Sequence, residues 1–268
     1  MTDTNPSESD IKEIYRIYSH LSTIIHDYAI GRKLQKQKCY SWALTAYYYS
    51  LMHSGRFICY LAIKDYPKGH RELINFLSGD ARYHHFTTEQ ITQHLKLRNI
   101  NLDIDKIKKL GKILGKSKKI REDNSYELFI VAHQFKHSFL ETNFTSACSL
   151  MKKIAKNYLR LCSKLLLDYV QSCHYKDYFI SFIKDKNKGH KWAFNSLKVS
   201  LDNQIKDKKI VDGVFKLLNT ELLNKVNTDL IIEDSFFEPI SFEHYSDKNE
   251  VMHKFKQNVD NLIGEYNG

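Results

Sequence analysis

Helix breakers are scarce in this chain. Only Pro6, Pro67 and Pro239 occur, and no glycine lies between Gly115 and Gly189. An all-β design needs turn residues roughly every 8–12 positions, so this scarcity argues against one and favours long helices. The five cysteines, Cys39, Cys59, Cys148, Cys162 and Cys173, form no CxxC pair, which leaves no paired-thiol zinc motif. Their odd number and wide spacing fit reduced, mostly buried thiols in a cytoplasm. No apolar run approaches the roughly 20 residues of a membrane span, and "MTDTNPSESDIKE" lacks the apolar core of a secretory signal. The expectation is a cytoplasmic protein without membrane contact. P-loop, dinucleotide-fingerprint and GxSxG motifs are all missing, so no cofactor is expected.

What is present is charge. The 268 residues carry a formal net charge of +10, with 42% hydrophobic and 27% charged residues. That composition describes a folded chain with a sizeable core, either one large domain or a domain with an appendage. Excess positive charge points to an anionic partner, RNA or another polyanion ahead of a membrane surface.

Apolar periodicity fixes the class as all-α. From Asp10 onward, Ile11, Ile14, Tyr15, Tyr18, Leu21 and Ile25 recur at helical spacing. "KCYSWALTAYYYSLMHSGRFICYLAI" predicts a second helix that stops before Pro67. Its apolar residues spread all round, so it belongs at the centre of a bundle, with Tyr47, Tyr48, Tyr49 and Tyr60 packing the core or an interface. "FTTEQITQHL" contains a capping box between Thr87 and Gln90, opening one bent helix or two short ones that end near Gly115. Residues 106–121, "KIKKLGKILGKSKKIR", hold eight basic residues and no acidic one. Ile107, Leu110 and Leu114 keep an apolar stripe there, so the lysines take the outer face, as a solvated surface or a polyanion contact.

"YELFIVAHQFKHSFLE" reads as helix, and Thr142 and Asn143 offer a restart cap for "FTSACSLMKKIAKNYLRLCSKLLLDYV". In the latter, Ala147, Leu150, Met151, Ile154, Tyr158, Leu161 and Leu165 share a face. Beyond about residue 175 the texture changes to shorter amphipathic stretches. Between them, residues 227–247 carry six acidic residues and no lysine or arginine, interleaved with Ile231, Ile232, Phe236, Phe237 and Phe242. That composition suggests a segment docked through its aromatics. Residues 10–172 are thus expected to form the bundle and 173–268 a smaller, mostly helical extension.

Two stretches carry a family resemblance. "ALTAYYYSLMHSGRFICYLAI" (43–63) resembles the second helix of HEPN domains, with alanine and tyrosine followed by a histidine and a small residue. "REDNSYEL" (121–128), followed by a helix opening at Asn143 with Ala147 and Ala155, resembles the later half, where an arginine and a tyrosine precede the last long helix. The resemblance spans roughly residues 10–172. It implies a small antiparallel helical bundle that usually dimerises, and for many members a metal-independent ribonuclease of toxin–antitoxin, anti-phage or CRISPR-associated systems. In such members an arginine, a gap of four to six residues and a histidine supply phosphate binding and proton transfer. Here none of the eight arginines has a histidine after that gap, and Arg121 meets Tyr126 instead. Tyrosine, with an ordinary pKa of about 10, is a poor base near neutrality but a good hydrogen-bond donor and stacking surface.

Arg121 and Tyr126 are therefore the candidate catalytic or contact pair, with Asn124 adding an amide. Lys108, Lys109, Lys112, Lys116, Lys118 and Lys119 are the candidate nucleic-acid contacts. The structural alternative pairs Arg121 with Glu122 or Asp123 and buries Tyr126. His133, His137 and Glu141 share a helical face, but Gln134 stands where a zincin motif needs glutamate, so no metal site is expected. His84 and His85 beside Arg82 are candidate proton carriers only if the fold brings them to Arg121. His53 reads better as a core or interface histidine. Two readings stay open. One is a HEPN-like defence or toxin–antitoxin protein that engages and cleaves RNA. The other is a non-catalytic interaction or sensor subunit that dimerises or docks on an effector of the same system.

Overall fold

The computed structural model describes residues 7–80, 86–122, 138–176 and 248–268, with the backbone alone at Glu8, Ile11, Ile14, Tyr15, Tyr18, 138–143 and 248–252. Seven helices occur among these residues: α1 (Glu8–Lys36), α2 (Tyr40–Ile63), α3 (His70–Leu77), α4 (Thr88–Leu97), α5 (Ile104–Glu122), α6 (Ser138–Ser172) and α7 (Lys248–Asn267). No strand occurs among them, and the fold is all-α.

Several helix ends have local causes. Ser7 caps α1: its Oγ accepts from Asp10 N at 3.2 Å, while Asp10 Oδ2 accepts from Ser7 N at 2.8 Å. The Thr87–Gln90 box opens α4 in the same way, with 3.2 Å and 2.7 Å bonds. α2 stops at Lys64, whose left-handed backbone (φ 60°) turns the chain three residues before Pro67.

Three elements differ from the sequence expectation. α3 lies where no helix was anticipated. α5 does not end near Gly115 but runs through Gly111 and Gly115 to Glu122. Each glycine costs a helix about 1 kcal/mol, and close packing against α3 outweighs that cost. α6 begins at Ser138 and passes Thr142 and Asn143 without a restart, because a continuing helix leaves no free N–H groups to cap.

Side-chain pairs reveal the directions. Tyr47 with Gln35, Ser50 with Ile24 and Lys64 with Glu13 run α2 antiparallel to α1. Cys148 with Tyr40 and Cys162 with Ser54 run α6 parallel to α2. So α1 and α2 are antiparallel, while α2 and α6 point the same way. α2 touches α1, α3, α4, α5 and α6, and its Ala43, Tyr47, Tyr48, Leu51, Phe57 and Leu61 are buried, the central place expected for it. α7 joins the same core through Phe255, Val259 and Leu262, with the Phe255 ring 5.2 Å from that of Phe144. Residues 177–247, including the acidic segment and the amphipathic stretches expected there, lie outside the described residues.

Candidate functional site

The site starts from two glycines. A Cβ at Gly111 would lie 2.5 Å from the backbone nitrogen of Ser78, so α5 and the end of α3 approach to a distance only glycine permits. One turn on, Gly115 faces Ile74 Cγ2 at 3.4 Å from the same hypothetical atom. As α5 advances from 111 to 115, its neighbour on α3 retreats from 78 to 74. Extending this antiparallel register one more turn puts His70, the first residue of α3, opposite residues 118–119, within the last turn of α5 that also carries Arg121. Gly69 ahead of α3 donates its N–H to Glu72 Oε2 at 3.2 Å, which anchors that end of the helix.

Arg121 is 15% exposed and lies over α2, its guanidinium carbon 5.0 Å from the centre of the Tyr48 ring. Its Nη1 reaches Tyr49 Oη at 3.5 Å and its Nη2 reaches Glu122 Oε1 at 3.5 Å. That carboxylate oxygen is held more closely by Lys118, at 2.7 Å. The structural alternative is therefore present in part: Arg121 does meet Glu122, as the second claimant on it. Tyr48 Oη lies 2.8 Å from His70 Nδ1, and the Tyr49 ring meets the His70 ring edge-on at 5.7 Å. Burial pushes the Tyr48 hydroxyl up to about 12, with Arg121 acting against it. The His70 imidazole is held below its ordinary range by burial first, then by Arg121, Arg56 and Lys118.

The α2 face continues this polar stripe through Tyr49, His53 and Arg56, at helical spacing. Arg56 donates from Nη2 to the carbonyl of Lys68 and lies over the Tyr66 ring, 5.4 Å to the centroid. Among the described residues it meets no carboxylate. The Nε atoms of Arg56 and Arg121 are both buried without a hydrogen-bond partner. His53 Nε2 is 3.7 Å from Asp27 Oδ2, near enough for ion pairing and too long for a hydrogen bond. Burial lowers the His53 pKa despite Asp27. His20, packed between Tyr60 and Tyr66, is pushed down to about 4, chiefly by burial and then by His53, Arg56 and Arg16.

The lysine candidates divide into two groups. Lys108 pairs with Glu89 at 3.1 Å, Lys116 with Glu265 of α7 at 2.8 Å, and Lys118 with Glu122. Lys112 and Lys119 are exposed and Lys109 is half-buried. The outer face of α5 thus keeps part of its charge and shares the rest with α4, α7 and its own last turn.

Tyr126 and Asn124 lie outside the described residues, as do Arg82, His84, His85, His133 and His137; of Glu141 only the backbone is described. Sequence reasoning passed over His70 and Arg56 and read Tyr48, Tyr49 and His53 as packing. The 49–53–56 stripe and the glycine spacing 111–115 were signals that could have found them. Among the described residues no group of three or more His, Cys, Asp or Glu side chains could hold a metal ion, and no helix is long and apolar enough to cross a membrane. No family model matches the chain, and no curated protein or solved structure matches it.

Proposed function

We propose that this protein is a HEPN-like helical bundle, of prokaryotic defence or toxin–antitoxin type, that engages RNA at the Arg121 end of α5. The observation that carries the reading is the unneutralised positive charge at that end. Arg121 and Arg56 act on an imidazole that burial and their own charges hold below its ordinary range, and neither guanidinium has a carboxylate to itself. A phosphate supplies the missing acceptors, and the partly exposed Tyr49 offers a ring on which a base can stack. On this reading His70 serves proton transfer at a ribose hydroxyl, although it comes from α3 and not from the residues after Arg121. Five cysteines without a disulfide fit a cytoplasmic setting.

Incubating single-stranded RNA with the protein in EDTA tests the reading. Metal-independent cleavage that is lost in Arg121→Ala and in His70→Gln supports a ribonuclease. Binding weakened by Arg121→Ala, without turnover, supports RNA engagement alone. RNA that neither binds nor is cleaved refutes both.

A second reading is favoured by the ion pairing of Lys108, Lys116 and Lys118, which draws charge away from the outer face of α5. On that reading the bundle is a non-catalytic interaction or sensor subunit, a homodimer or the partner of an effector protein. Sedimentation of the full chain, alone and with RNA, separates the two.

A further inference from the structure

The Arg56–His70–Arg121 cluster has a charge count that selects among phosphates. Of the carboxylates nearby, Glu122 is held first by Lys118 at 2.7 Å, and Asp27 lies between His53 at 3.7 Å and His26 at 3.6 Å. Arg121 shares Tyr48 and Tyr49 with the His70 ring, and Arg56 holds the Lys68 carbonyl two residues ahead of it. Two guanidinium charges therefore stand at this end of α3, with Glu122 the one carboxylate among the described residues acting on the ring. Each keeps a buried Nε donor without an acceptor. Tyr48 Oη holds His70 Nδ1 at 2.8 Å; with the hydroxyl donating, Nε2 carries the proton and becomes a third donor.

An internal phosphodiester brings one negative charge, whereas a phosphate monoester brings about −1.5 to −2 at neutral pH and three acceptor oxygens. Resting on the RNA-engaging reading above, we propose that this cluster is a seat for a phosphate monoester: the terminal phosphate of an RNA strand, or that of a free nucleotide. The three donor groups come from α2, the start of α3 and the end of α5, so the seat is assembled only when α3 packs on α5. An internal linkage passing the same point would leave one guanidinium unmatched. The lysines of α5 would then hold the strand leading away from the seat, each as a point charge without end specificity.

The test uses the full chain and one short single-stranded RNA in three forms: both ends hydroxyl, 5′-phosphorylated and 3′-phosphorylated. The expected result is that one phosphorylated form binds about tenfold tighter than the hydroxyl form, the effect of one charge-assisted contact set. In Arg56→Gln the phosphorylated and hydroxyl affinities converge. Equal binding of all three forms by the unaltered protein overturns the proposal, as does a preference that survives in a folded Arg56→Gln. Should that variant not fold, the three-strand comparison on the unaltered protein decides alone. If no strand binds, the RNA reading fails, and the seat is tested by titrating a nucleoside monophosphate and inorganic phosphate against the His70 ring resonances. Displaced resonances with a raised His70 pKa in the nucleotide titration support a nucleotide seat; resonances unmoved by either ligand overturn it.

Discussion

At the scale of single residues, three half-buried histidines have lowered pKa values. His20 sits among Tyr60, Tyr66, His53, Arg56 and Arg16, and its pKa falls from the ordinary 6.5 to about 4. His53 and His70 are lowered in the same direction, burial being the first cause for each. A lowered pKa means that the unfolded chain takes up protons which the folded chain refuses. The stability these groups allow is complete above their unfolded pKa and is lost as pH falls through the window from 6.5 towards 4. Thermal melts should show a melting temperature that is level near neutrality and declines steadily in this window. His20→Gln should flatten the decline. A melting temperature that holds constant across the window would contradict the burial of these rings.

At the scale of elements, α5 makes a sharp comparison possible, because its two glycines face different neighbours. At Gly111 an added methyl meets the Ser78 backbone nitrogen at 2.5 Å, and a backbone cannot rotate away. Gly111→Ala should destabilise by about 1–3 kcal/mol, the range for overpacking, and should move His70 from Arg121. At Gly115 the nearest atom is a side-chain methyl at 3.4 Å, so Gly115→Ala should be neutral or stabilise by about 0.5–1 kcal/mol through helix propensity. Denaturant melts of the two variants check the signs. If they behave alike, the contact between α3 and α5 is not what sets the register. The Tyr48 ring under Arg121 and the Tyr48–His70 bond are consequences of that register, since α2 supplies the surface on which both ends meet.

At the scale of the whole molecule, two polar links tie distant segments together. Lys64 at the end of α2 pairs with Glu13 of α1 and donates to Tyr169 of α6 at 3.0 Å, and Arg98 joins both from the end of α4. These groups are only partly exposed, so removing their shared anion leaves two cations facing one hydroxyl. Glu13→Gln should cost about 1–3 kcal/mol in a denaturant melt. A loss under a few tenths of a kcal/mol would mean that the two cations find water as readily. The second link joins α7 to the lysine run. Glu265 accepts from Lys116 at 2.8 Å, and Lys116, Lys112 and Lys109 hold its carboxyl below the usual range. Glu265→Gln should release Lys116, tighten polyanion binding and steepen its log–log salt dependence by about one counterion, with stability changed by less than about 1 kcal/mol. An unchanged salt slope would show that Lys116 lies off the binding path.

The residues themselves determined the class of this protein and much of its outline. The stripe containing Leu21 and Ile25, the capping box at Thr87, the apolar spread of α2 and the absence of breakers act over a turn or two, within reach of local sequence. The central burial of Tyr47 and Tyr48 follows from the same pattern, because a helix apolar on all sides has nowhere else to go. What only the tertiary structure decided is the company Arg121 keeps. His70 precedes it by most of the length of α3, α4 and α5, and no spacing rule joins positions so far apart. Their meeting depends on two helices touching at Gly111, a contact set by the shape of neighbouring backbones. The length of α5 and the unbroken run of α6 past Thr142 and Asn143 were decided in the same way. Local signals worth about 1 kcal/mol each give way when packing against another helix offers more.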